Sequence, residues 1–436
     1  MKINSIRNSK TFILGAGITG LCAGLKTGYK IFESKKAPGG LCLSYYIKPH
    51  GKMRLSAQPG DYNAYRFEVG GGHWIFGADK NILRFLGKFC TLKKYIRRSA
   101  IYFSKQNLYV PYPLQNNLRY LPEEIKQKAL KEILNKPDAK PNTLKDWLQL
   151  NFGKTLCGLF FFPFHEVYTA GLFKKISPQD FFKTPADVSR VLKGAQVQVG
   201  QVGYNTEFVY PEEGLNILTK NIAGQCNISY QKEAVRIDTK NRIIYFKDKT
   251  SVCYDKLIST LPLNEMVKMA DIKIKEKADP YTSVLALNLG AVKGRRCPGE
   301  HWLYIPDSIS GFHRVGFYSN VDVSFLPKPF RKDERHTGIY VERAYANGKK
   351  PSISTIRNYI SSVIKELQGW GFIEKVEVAD AVWIDVAYTW LRPGSEWRKI
   401  AINALKKHNI HQIGRYGRWK FQGVAESVKE GLVCKG

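Results

Sequence analysis

A chain of 436 residues is long enough to bury a large core, and at this length the core usually divides into two or more domains. Its hydrophobic fraction of 44% and charged fraction of 24% are those of a soluble globular protein. The formal net charge of +31 attracts polyanions, so nucleic acid is the first partner to consider. The basic residues are spread along the whole chain rather than gathered in a tail, and a phosphate-bearing small substrate explains the charge equally well. We therefore do not expect nucleic acid as the main partner.

The sequence shows no sign of a membrane span, a leader or a metal site. The most apolar segment, residues 157–173, is interrupted by Pro163, His165 and Glu166 and predicts buried structure. The N-terminus has no apolar stretch before the first strand, so we expect a cytoplasmic protein without a membrane span. The cysteines form no C-x-x-C pair and the histidines are dispersed, which predicts neither a disulfide framework nor a bound metal.

The chain opens with a predicted strand–helix–strand unit that carries a dinucleotide fingerprint. Gly15, Gly17 and Gly20 follow the strand at 11–14 with the spacing G-x-G-x-x-G. The first glycine allows the tight turn, the second lets the backbone approach a pyrophosphate, and the third lets the helix pack against the strand. Glu33 ends the second strand, where it is placed to accept hydrogen bonds from the ribose hydroxyls of an adenosine.

Two further glycine clusters favour FAD over NAD as the dinucleotide. Gly39 and Gly40 predict a second backbone turn against the dinucleotide. The run Gly70, Gly71 and Gly72, which precedes His73, is typical of a loop that passes close to a flat ring system.

The later elements mix helices and short strands. Apolar spacing predicts a helix over 117–136, and Asn142 is placed to cap the next helix, over 143–150. Short β-branched runs between 233 and 262 predict a hairpin that leads into a buried strand. The last third combines predicted strands at 302–306, 315–320 and 337–342 with an amphipathic helix over 354–367.

Several segments, taken together, resemble a known group of flavoproteins. The fingerprint, Glu33, APGGL (37–41) and YDKLISTLP (254–262) resemble the FAD-binding parts of the amine oxidase and protoporphyrinogen oxidase superfamily. Five more segments, spread along the chain in the family's order, resemble UDP-galactopyranose mutase, especially its eukaryotic-like form. They are GGHWIF (71–76), VPYPLQNNL (110–118), HWLYIP (301–306), FHRVGFYSN (312–320) and GRYGRW (414–419).

The resemblance implies an isomerase that uses reduced FAD and a UDP-hexose. In that family the flavin N5 displaces UDP from the anomeric carbon, and the sugar opens as a flavin adduct and recloses as the furanose, for cell-surface polysaccharide synthesis. Such chemistry needs a clamp for the diphosphate leaving group and a site that excludes water. NAD(P)H is the candidate external reductant, and a homo-oligomer is compatible with the sequence.

The motifs and the resemblance together give a set of expected site residues. His73 and Arg314 are the expected catalytic residues, the first beside the flavin and the second on the diphosphate. Expected FAD-binding residues are Gly15, Gly17, Ile18, Thr19, Gly20, Glu33, Ser34, Gly39, Gly40, Leu41, Gly71, Gly72, His73 and Arg415. Expected substrate-binding residues are Phe76, Tyr112, Gln115, Arg190, Tyr304, Arg314 and Phe421.

The sequence also departs from the family's pattern. Phe421 stands where the family has a tyrosine that binds the pyrophosphate, and the stretch after it differs. Segments 165–180 and 387–397 differ as well, the first by lacking the usual tryptophan. Two alternatives therefore stay open: an amine-oxidase-type flavin oxidoreductase, and a basic nucleic-acid-binding protein with an inert dinucleotide fold.

The expected fold class is α/β, with a Rossmann-like FAD-binding domain and a second, mixed α+β substrate domain of helices and an antiparallel sheet. We assign 1–90, 205–265 and 385–436 to the FAD-binding domain and 91–204 and 266–384 to the substrate domain. The active site is expected where the two meet over the flavin.

Overall fold

The structure is a computed structural model that describes residues 10–179, 186–200, 203 and 205–434. Within these residues, every helix is too short or too polar to cross a membrane. The same part of the chain contains no group of three or more His, Cys, Asp or Glu side chains placed to hold a metal ion.

The strands of the described chain are numbered in chain order. They are β1 Thr11–Leu14, β2 Lys30–Phe32, β3 Ser44–Ile47, β4 Tyr65–Glu68, β5 Ile75–Phe76, β6 Leu92–Ile96, β7 Ser99–Phe103, β8 Leu108–Pro111, β9 Glu207–Pro211, β10 Ile228–Ser229, β11 Ala234–Asp238, β12 Ile243–Phe246, β13 Ser251–Cys253, β14 Lys256–Ser259, β15 Tyr281–Lys293, β16 Trp302–Tyr304, β17 Arg314–Phe317, β18 His336–Ala346, β19 Ile373–Thr389 and β20 Ile410–Gln412.

The α-helices are numbered in the same way, and short 3₁₀ turns are left unnumbered. They are α1 Ile18–Thr27, α2 Lys80–Leu86, α3 Glu123–Leu134, α4 Leu144–Leu156, α5 Phe162–Tyr168, α6 Val188–Gln196, α7 Leu215–Ala223, α8 Leu263–Met269, α9 Tyr318–Val321, α10 Ile353–Gly369, α11 Trp397–Lys407, α12 Gly414–Gly417 and α13 Val424–Leu432. A π-helical turn, Cys157–Phe161, joins α4 to α5.

A five-stranded parallel sheet, in the order β10-β2-β1-β14-β20, forms the Rossmann-like part of the molecule. Its central strand β1 is almost wholly buried, as parallel strands covered on both faces are. Helix α1 packs against α13 and α7. Because α1 follows β1 directly, its N-terminus lies at the carboxyl edge of the sheet, where open α/β folds bind their ligands.

A second, seven-stranded sheet has the order β19-β15-β18-β17-β16-β7-β8. Its pairings are antiparallel except for β16 with β7. Helix α10 covers one face, and Val363 and Leu367 belong to the same buried cluster as Leu287 and Leu289 of β15. A parallel sheet with helices beside a largely antiparallel sheet is the predicted fold class.

Helices α3 to α6 form a further layer with its own buried cluster, which includes Leu148, Phe152 and Phe161. Two local predictions here were wrong. Thr143, not Asn142, caps α4, because its hydroxyl accepts from the Asp146 amide while the Asp146 carboxylate accepts from the Thr143 amide. The helix predicted over 117–136 begins only at Glu123, after two 3₁₀ turns, and ends at Leu134.

The hairpin predicted between 233 and 262 is the antiparallel set β11-β12-β13, and the chain then enters the parallel sheet as β14. The strand predicted at 315–320 is shorter than expected, because β17 ends at Phe317 and the short helix α9 follows. The division into two domains at the stated boundaries stays a prediction, and β19 runs across the expected boundary at 384/385.

Candidate functional site

A cavity of about 680 Å³ runs from the N-terminus of α1 to β17, β18 and α5. Loops that follow β1 and β4, the last part of β19 and the segment around α12 contribute to its wall. It brings together most of the predicted site residues: Gly15, Gly17, Ile18, Thr19, Glu33, Gly39, Gly40, Leu41, Gly72, His73, Phe76, Tyr112, Gln115, Tyr304, Arg314, Arg415 and Phe421.

The three fingerprint glycines have separate structural roles at one end of this cavity. Gly15 has a φ of 94°, which other residues rarely adopt. A Cβ at Gly20 would lie 2.0 Å from the Gly15 carbonyl oxygen, so only glycine allows α1 to pack this closely on β1. Gly17 precedes α1 without a side-chain cap, and a Cβ there would meet nothing within 4 Å. The first amides of α1 are therefore open to a negatively charged ligand.

Glu33 is buried beside this loop, and the backbone fixes the position of its carboxylate. The carboxylate accepts hydrogen bonds from the Ala16 amide at 2.7 Å and from the Lys35 amide at 2.8 Å. The Ser34 hydroxyl donates to it at 3.2 Å, but Ser34 itself is exposed and lies outside the cavity lining.

A second turn, Gly39 to Leu41, lies against the fingerprint loop. Gly39 forms a parallel β-bridge with Gly17 and donates from its amide to the Ala16 carbonyl at 2.8 Å. Both Gly39 and Gly40 have positive φ, at 117° and 59°. The turn predicted from Gly39 and Gly40 therefore lies beside the fingerprint loop, and its contact with a dinucleotide stays a prediction.

The loop Gly70 to Gly72 is packed so tightly that a side chain at any of its positions would force its neighbours to shift. A Cβ would lie 2.3 Å from the His73 ring at Gly70, 2.6 Å from the Glu342 carboxylate at Gly71 and 2.3 Å from the Tyr340 hydroxyl at Gly72. Gly71 does not line the cavity itself, and it brings the loop close to Glu342. The loop, which directly precedes His73, therefore packs closely against β18.

His73 is a neutral imidazole with a defined tautomer. Burial, followed by the nearby Arg415 guanidinium, lowers the pKa of His73 to about 4. Its Nδ1 lies 2.9 Å from the Gly70 carbonyl oxygen, which can only accept a hydrogen bond. The proton therefore resides on Nδ1, and Nε2 keeps its lone pair.

Arg314 and Glu342 form a buried ion pair across β17 and β18, where they are direct partners in the strand register. Arg314 donates from Nε at 3.0 Å and from Nη2 at 2.6 and 2.7 Å. Burial alone would raise the pKa of Glu342, but Arg314 and His313 outweigh burial and hold the pKa at about 2. The carboxylate uses Nε and Nη2, and Nη1 is the guanidinium nitrogen outside these bonds.

Two tyrosines that line the cavity pack against each other. The rings of Tyr112 and Tyr304 have centroids 4.5 Å apart, and the Arg97 guanidinium lies 5.4 Å from the Tyr112 ring. Gln115, three residues after Tyr112, is buried and also lines the cavity. The Phe76 ring contacts Trp302, which fixes it against β16.

Arg415 is held among aromatic rings at the other side of the cavity. It donates to the Gln422 and Ala387 carbonyl oxygens at 3.0 and 2.8 Å. The Phe421 ring lies 4.7 Å from its guanidinium, and the Tyr388 ring lies 5.2 Å from it. Phe421 thus packs on a cation at the position where the resembled family has a tyrosine.

A continuous row of rings, which we call the aromatic wall, was missed by sequence reasoning. Neighbouring rings lie 5.1 to 6.1 Å apart along the row from Phe160 through Phe164, Tyr168 and Tyr388 to Trp390. The signal was present in the run FFFPFHEVY at 160–168, where aromatic residues recur every four positions. His313, Glu342, Asn205 and Gln179 also line the cavity and were not predicted.

Arg190 is not brought to the cavity. It lies in the first turn of α6, outside the lining, with a side chain that is 54% exposed and 3.4 Å from Asp187. The resemblance was weakest around this residue, and the structure gives it a surface ion pair. Of the remaining predictions, Gly20 acts through packing rather than by lining the cavity.

Comparison with solved structures shows that nearly the whole chain has the fold of one known enzyme. A crystal structure of reduced UDP-galactopyranose mutase matches with a TM-score of 0.80 and 22% identity, over 97% of this chain and 92% of that one. The chain shares that mutase's fold. The resemblance inferred from the sequence segments is therefore confirmed at the level of the fold. No protein-family model matches the chain.

More distant matches extend the fold to other enzymes. An oxidoreductase from Methanosarcina mazei matches with a TM-score of 0.60 and 14% identity, over 96% of this chain and 98% of that one. A putrescine oxidase redesigned in its cofactor binding matches with a TM-score of 0.55 and 14% identity, over 97% of both chains. The fold is therefore common to a mutase and to oxidoreductases.

Proposed function

We propose that the protein is a flavoenzyme that binds FAD along the fingerprint end of the cavity and isomerises a UDP-hexopyranose to its furanose form. The observation that carries the proposal is the continuity of one cavity from the open amides of α1, past His73, to Arg314 and the tyrosine pair. The shared fold with UDP-galactopyranose mutase supports the same reading.

The fingerprint end fits an FAD pyrophosphate. The empty space at Gly17, the uncapped N-terminus of α1 and the fixed Glu33 carboxylate match the needs of a phosphate and a ribose. Leu41, Gly72, His73 and Arg415 would border the ring system. When bound and reduced, the flavin would supply the nucleophile for sugar transfer, and NAD(P)H is the proposed source of its electrons.

The substrate half would be bound by this chain's own side chains. Tyr112 and Tyr304 offer ring faces for uracil, with Gln115 and Phe76 beside them. Arg314 would donate to the diphosphate leaving group from Nη1, because Nε and Nη2 are bonded to Glu342, which fixes the orientation of the guanidinium. The aromatic wall would keep water away from the open-chain sugar.

Activity of the reduced protein tests this proposal. The purified, FAD-loaded protein is reduced with dithionite without oxygen and incubated with UDP-galactopyranose, and the furanose product is separated by chromatography. We expect conversion without net consumption of electrons. If the reduced protein neither binds UDP nor changes any UDP-hexose, the proposal fails.

Binding of UDP to variants of the protein tests which end of the cavity holds the substrate. We expect a UDP-dependent thermal shift that is lost in Tyr112→Ala and in Arg314→Ala. Arg84→Ala is the matched control, because Arg84 is an exposed residue of α2 outside the lining. Arg190→Ala should also leave the shift unchanged, since Arg190 lies on the surface.

A flavin-dependent oxidoreductase is the second candidate. The aromatic wall favours it, because a row of rings also suits a substrate less polar than a sugar nucleotide, and the Methanosarcina mazei oxidoreductase shares the fold. Bleaching of the oxidised flavin by a substrate, followed by recovery in air, would support this candidate over the mutase.

A further inference from the structure

His313 is a buried polar residue of the cavity that has no role in the function proposed so far. It directly precedes Arg314 and β17, is only 2% exposed, and lines the cavity. Its ring centroid lies 5.2 Å from that of Tyr168 and 6.3 Å from that of Phe164. His313 therefore sits at the junction between the Arg314–Glu342 pair and the aromatic wall.

The surroundings of His313 define which of its nitrogens carries the proton. Burial lowers the pKa of His313, so the ring is neutral at physiological pH. Neither ring nitrogen makes a hydrogen bond to the described residues, but Nε2 lies 3.5 Å from the Glu342 carboxylate, whose negative charge favours the tautomer with the proton on Nε2. In this tautomer Nδ1 is a hydrogen-bond acceptor.

The acceptor on Nδ1 has no hydrogen-bond partner among the described residues. A buried acceptor left without a donor is destabilising, and buried polar atoms in folded proteins are nearly always paired with protein, water or ligand. A donor supplied by the ligand would remove that cost. The neighbouring groups show which ligand is suitable.

Two features beside His313 fit a pyranose ring. The rings of Phe164 and Tyr168 provide flat apolar surfaces for the C–H faces of a sugar, and the hydroxyls of a sugar are hydrogen-bond donors. The Arg314 guanidinium next in the chain would bind the diphosphate to which the sugar is attached. A sugar on that diphosphate would thus lie within reach of both the wall and His313.

We propose that His313 is a specificity-determining residue that accepts, at Nδ1, a hydrogen bond from a ring hydroxyl of the hexose. The proposal rests on the proposed nucleotide-sugar function and extends it from the nucleotide to the sugar. It predicts that the protein discriminates between hexoses through an acceptor, so that a sugar lacking the matching hydroxyl binds more weakly.

Calorimetric titration of the FAD-loaded protein tests the assignment through binding rather than turnover. The ligands are UDP, UDP-galactose and a panel of UDP-galactose analogues that each lack one hydroxyl. The variants are His313→Leu, which removes the acceptor, and His313→Asn, whose side-chain oxygen takes a position close to Nδ1. His408→Leu is the matched control, because it makes the same exchange outside the cavity lining.

We expect wild-type protein to bind one deoxy analogue about tenfold more weakly than UDP-galactose, which corresponds to about 1.4 kcal/mol. His313→Leu should bind both ligands equally and UDP as tightly as wild type does, and His313→Asn should restore part of the discrimination. Flavin absorbance per protein shows whether each variant is folded and loaded.

The outcomes separate the two proposals. If wild-type protein binds UDP and UDP-galactose but His313→Leu discriminates among the analogues as wild type does, the His313 assignment is overturned while the proposed function stands. Equal affinity of wild type for every analogue also overturns it, and implies a water on Nδ1. If wild-type protein does not bind UDP at all, the proposed function itself fails.

Discussion

The Arg314–Glu342 pair shows how two residues separated by 28 positions can become one chemical unit. Strands β17 and β18 place them as direct partners, and the carboxylate is 2% exposed in its side chain. A charge buried in this way is stable only while its partner is present, because the partner replaces the water that has been lost. The stability of the site is therefore tied to both residues at once.

We expect Arg314→Met to destabilise the protein by about 3–5 kcal/mol at pH 7, because it leaves the Glu342 carboxylate buried without its cation. The double variant Arg314→Met/Glu342→Leu should recover most of that loss, since no unpaired charge remains. Urea unfolding followed by circular dichroism measures both. Arg84→Met serves as the control for an exposed arginine.

The same pair predicts a dependence on pH. Arg314 holds the pKa of Glu342 at about 2, below its ordinary value of 4.5. The stabilisation from a lowered carboxyl pKa is present above the unfolded-state value and is lost as pH falls from about 4.5 towards 2. The penalty of Arg314→Met should therefore shrink on acidification. A penalty equal at pH 7 and pH 3, or a double variant as unstable as the single one, would contradict this account.

Local chemistry explains which site residues could be predicted from the sequence. Gly15, Gly17, Gly20 and Glu33 act within one strand–helix–strand unit, so their spacing alone predicts their geometry. Glu342 and His313 belong to the site only through strand pairing and ring packing, and no local pattern marks them. Arg190 shows the opposite error, in which a poorly matched segment suggested a role that its surface position does not support.

At the scale of elements, periodicity predicted where helices and strands lie along the chain. It did not predict the residues at which each of them begins and ends. The helix expected over 354–367 is α10, Ile353–Gly369. The N-terminus of α4 was misplaced by one residue, because Asn142 and Thr143 are both good capping residues and only the reciprocal bond with Asp146 distinguishes them. The aromatic wall was missed because rings every four positions also fit an ordinary buried helix.

The glycine loop before His73 gives an element-scale prediction. In Gly72→Ala the new Cβ would lie 2.3 Å from the Tyr340 oxygen and 2.5 Å from its Cζ, and Tyr340 is fully buried. We expect a loss of about 1–3 kcal/mol from overpacking and a lower flavin content after purification, because the loop must move away from β18. Thermal unfolding and flavin absorbance per protein measure the two effects.

Gly60→Ala is the matched control, since a Cβ at Gly60 would meet nothing within 4 Å. It should behave as wild type in both measurements. Should Gly72→Ala retain the stability and flavin content of the control, the loop would not need glycine for its packing, and its link to the cavity would have to be reconsidered.

At the scale of the whole molecule, the sequence predicts that the fold contains a parallel and an antiparallel sheet. It does not predict how the two sheets are arranged around the cavity. The cavity takes residues from the loop after β1, from α5, from β18 and from β19, which are far apart in sequence. A strand–helix–strand unit predicts where a dinucleotide binds. The end of the cavity proposed to bind substrate depends on how the seven-stranded sheet packs against α4 and α5, and that packing has no local signature.

The net charge of +31 is a property of the whole molecule that bears on how the substrate arrives. A strongly basic protein attracts an anionic ligand before contact, and this attraction raises the association rate by about 10- to 1,000-fold in favourable cases. Dissolved salt screens it over about 10 Å at 0.1 M. The proposed substrate carries a diphosphate, so its association rate should depend on salt.

We expect the association rate of UDP, measured by stopped-flow, to fall by about tenfold or more between 20 and 500 mM salt, while its dissociation rate changes little. Uridine is the matched ligand, because it offers the same base to Tyr112 and Tyr304 without the diphosphate, and its association rate should stay nearly constant. Equal salt dependence for both ligands would mean that the basic surface does not guide the diphosphate. The charge would then serve some other anionic partner, and a high absorbance at about 260 nm that salt removes from the purified protein would identify that partner as nucleic acid.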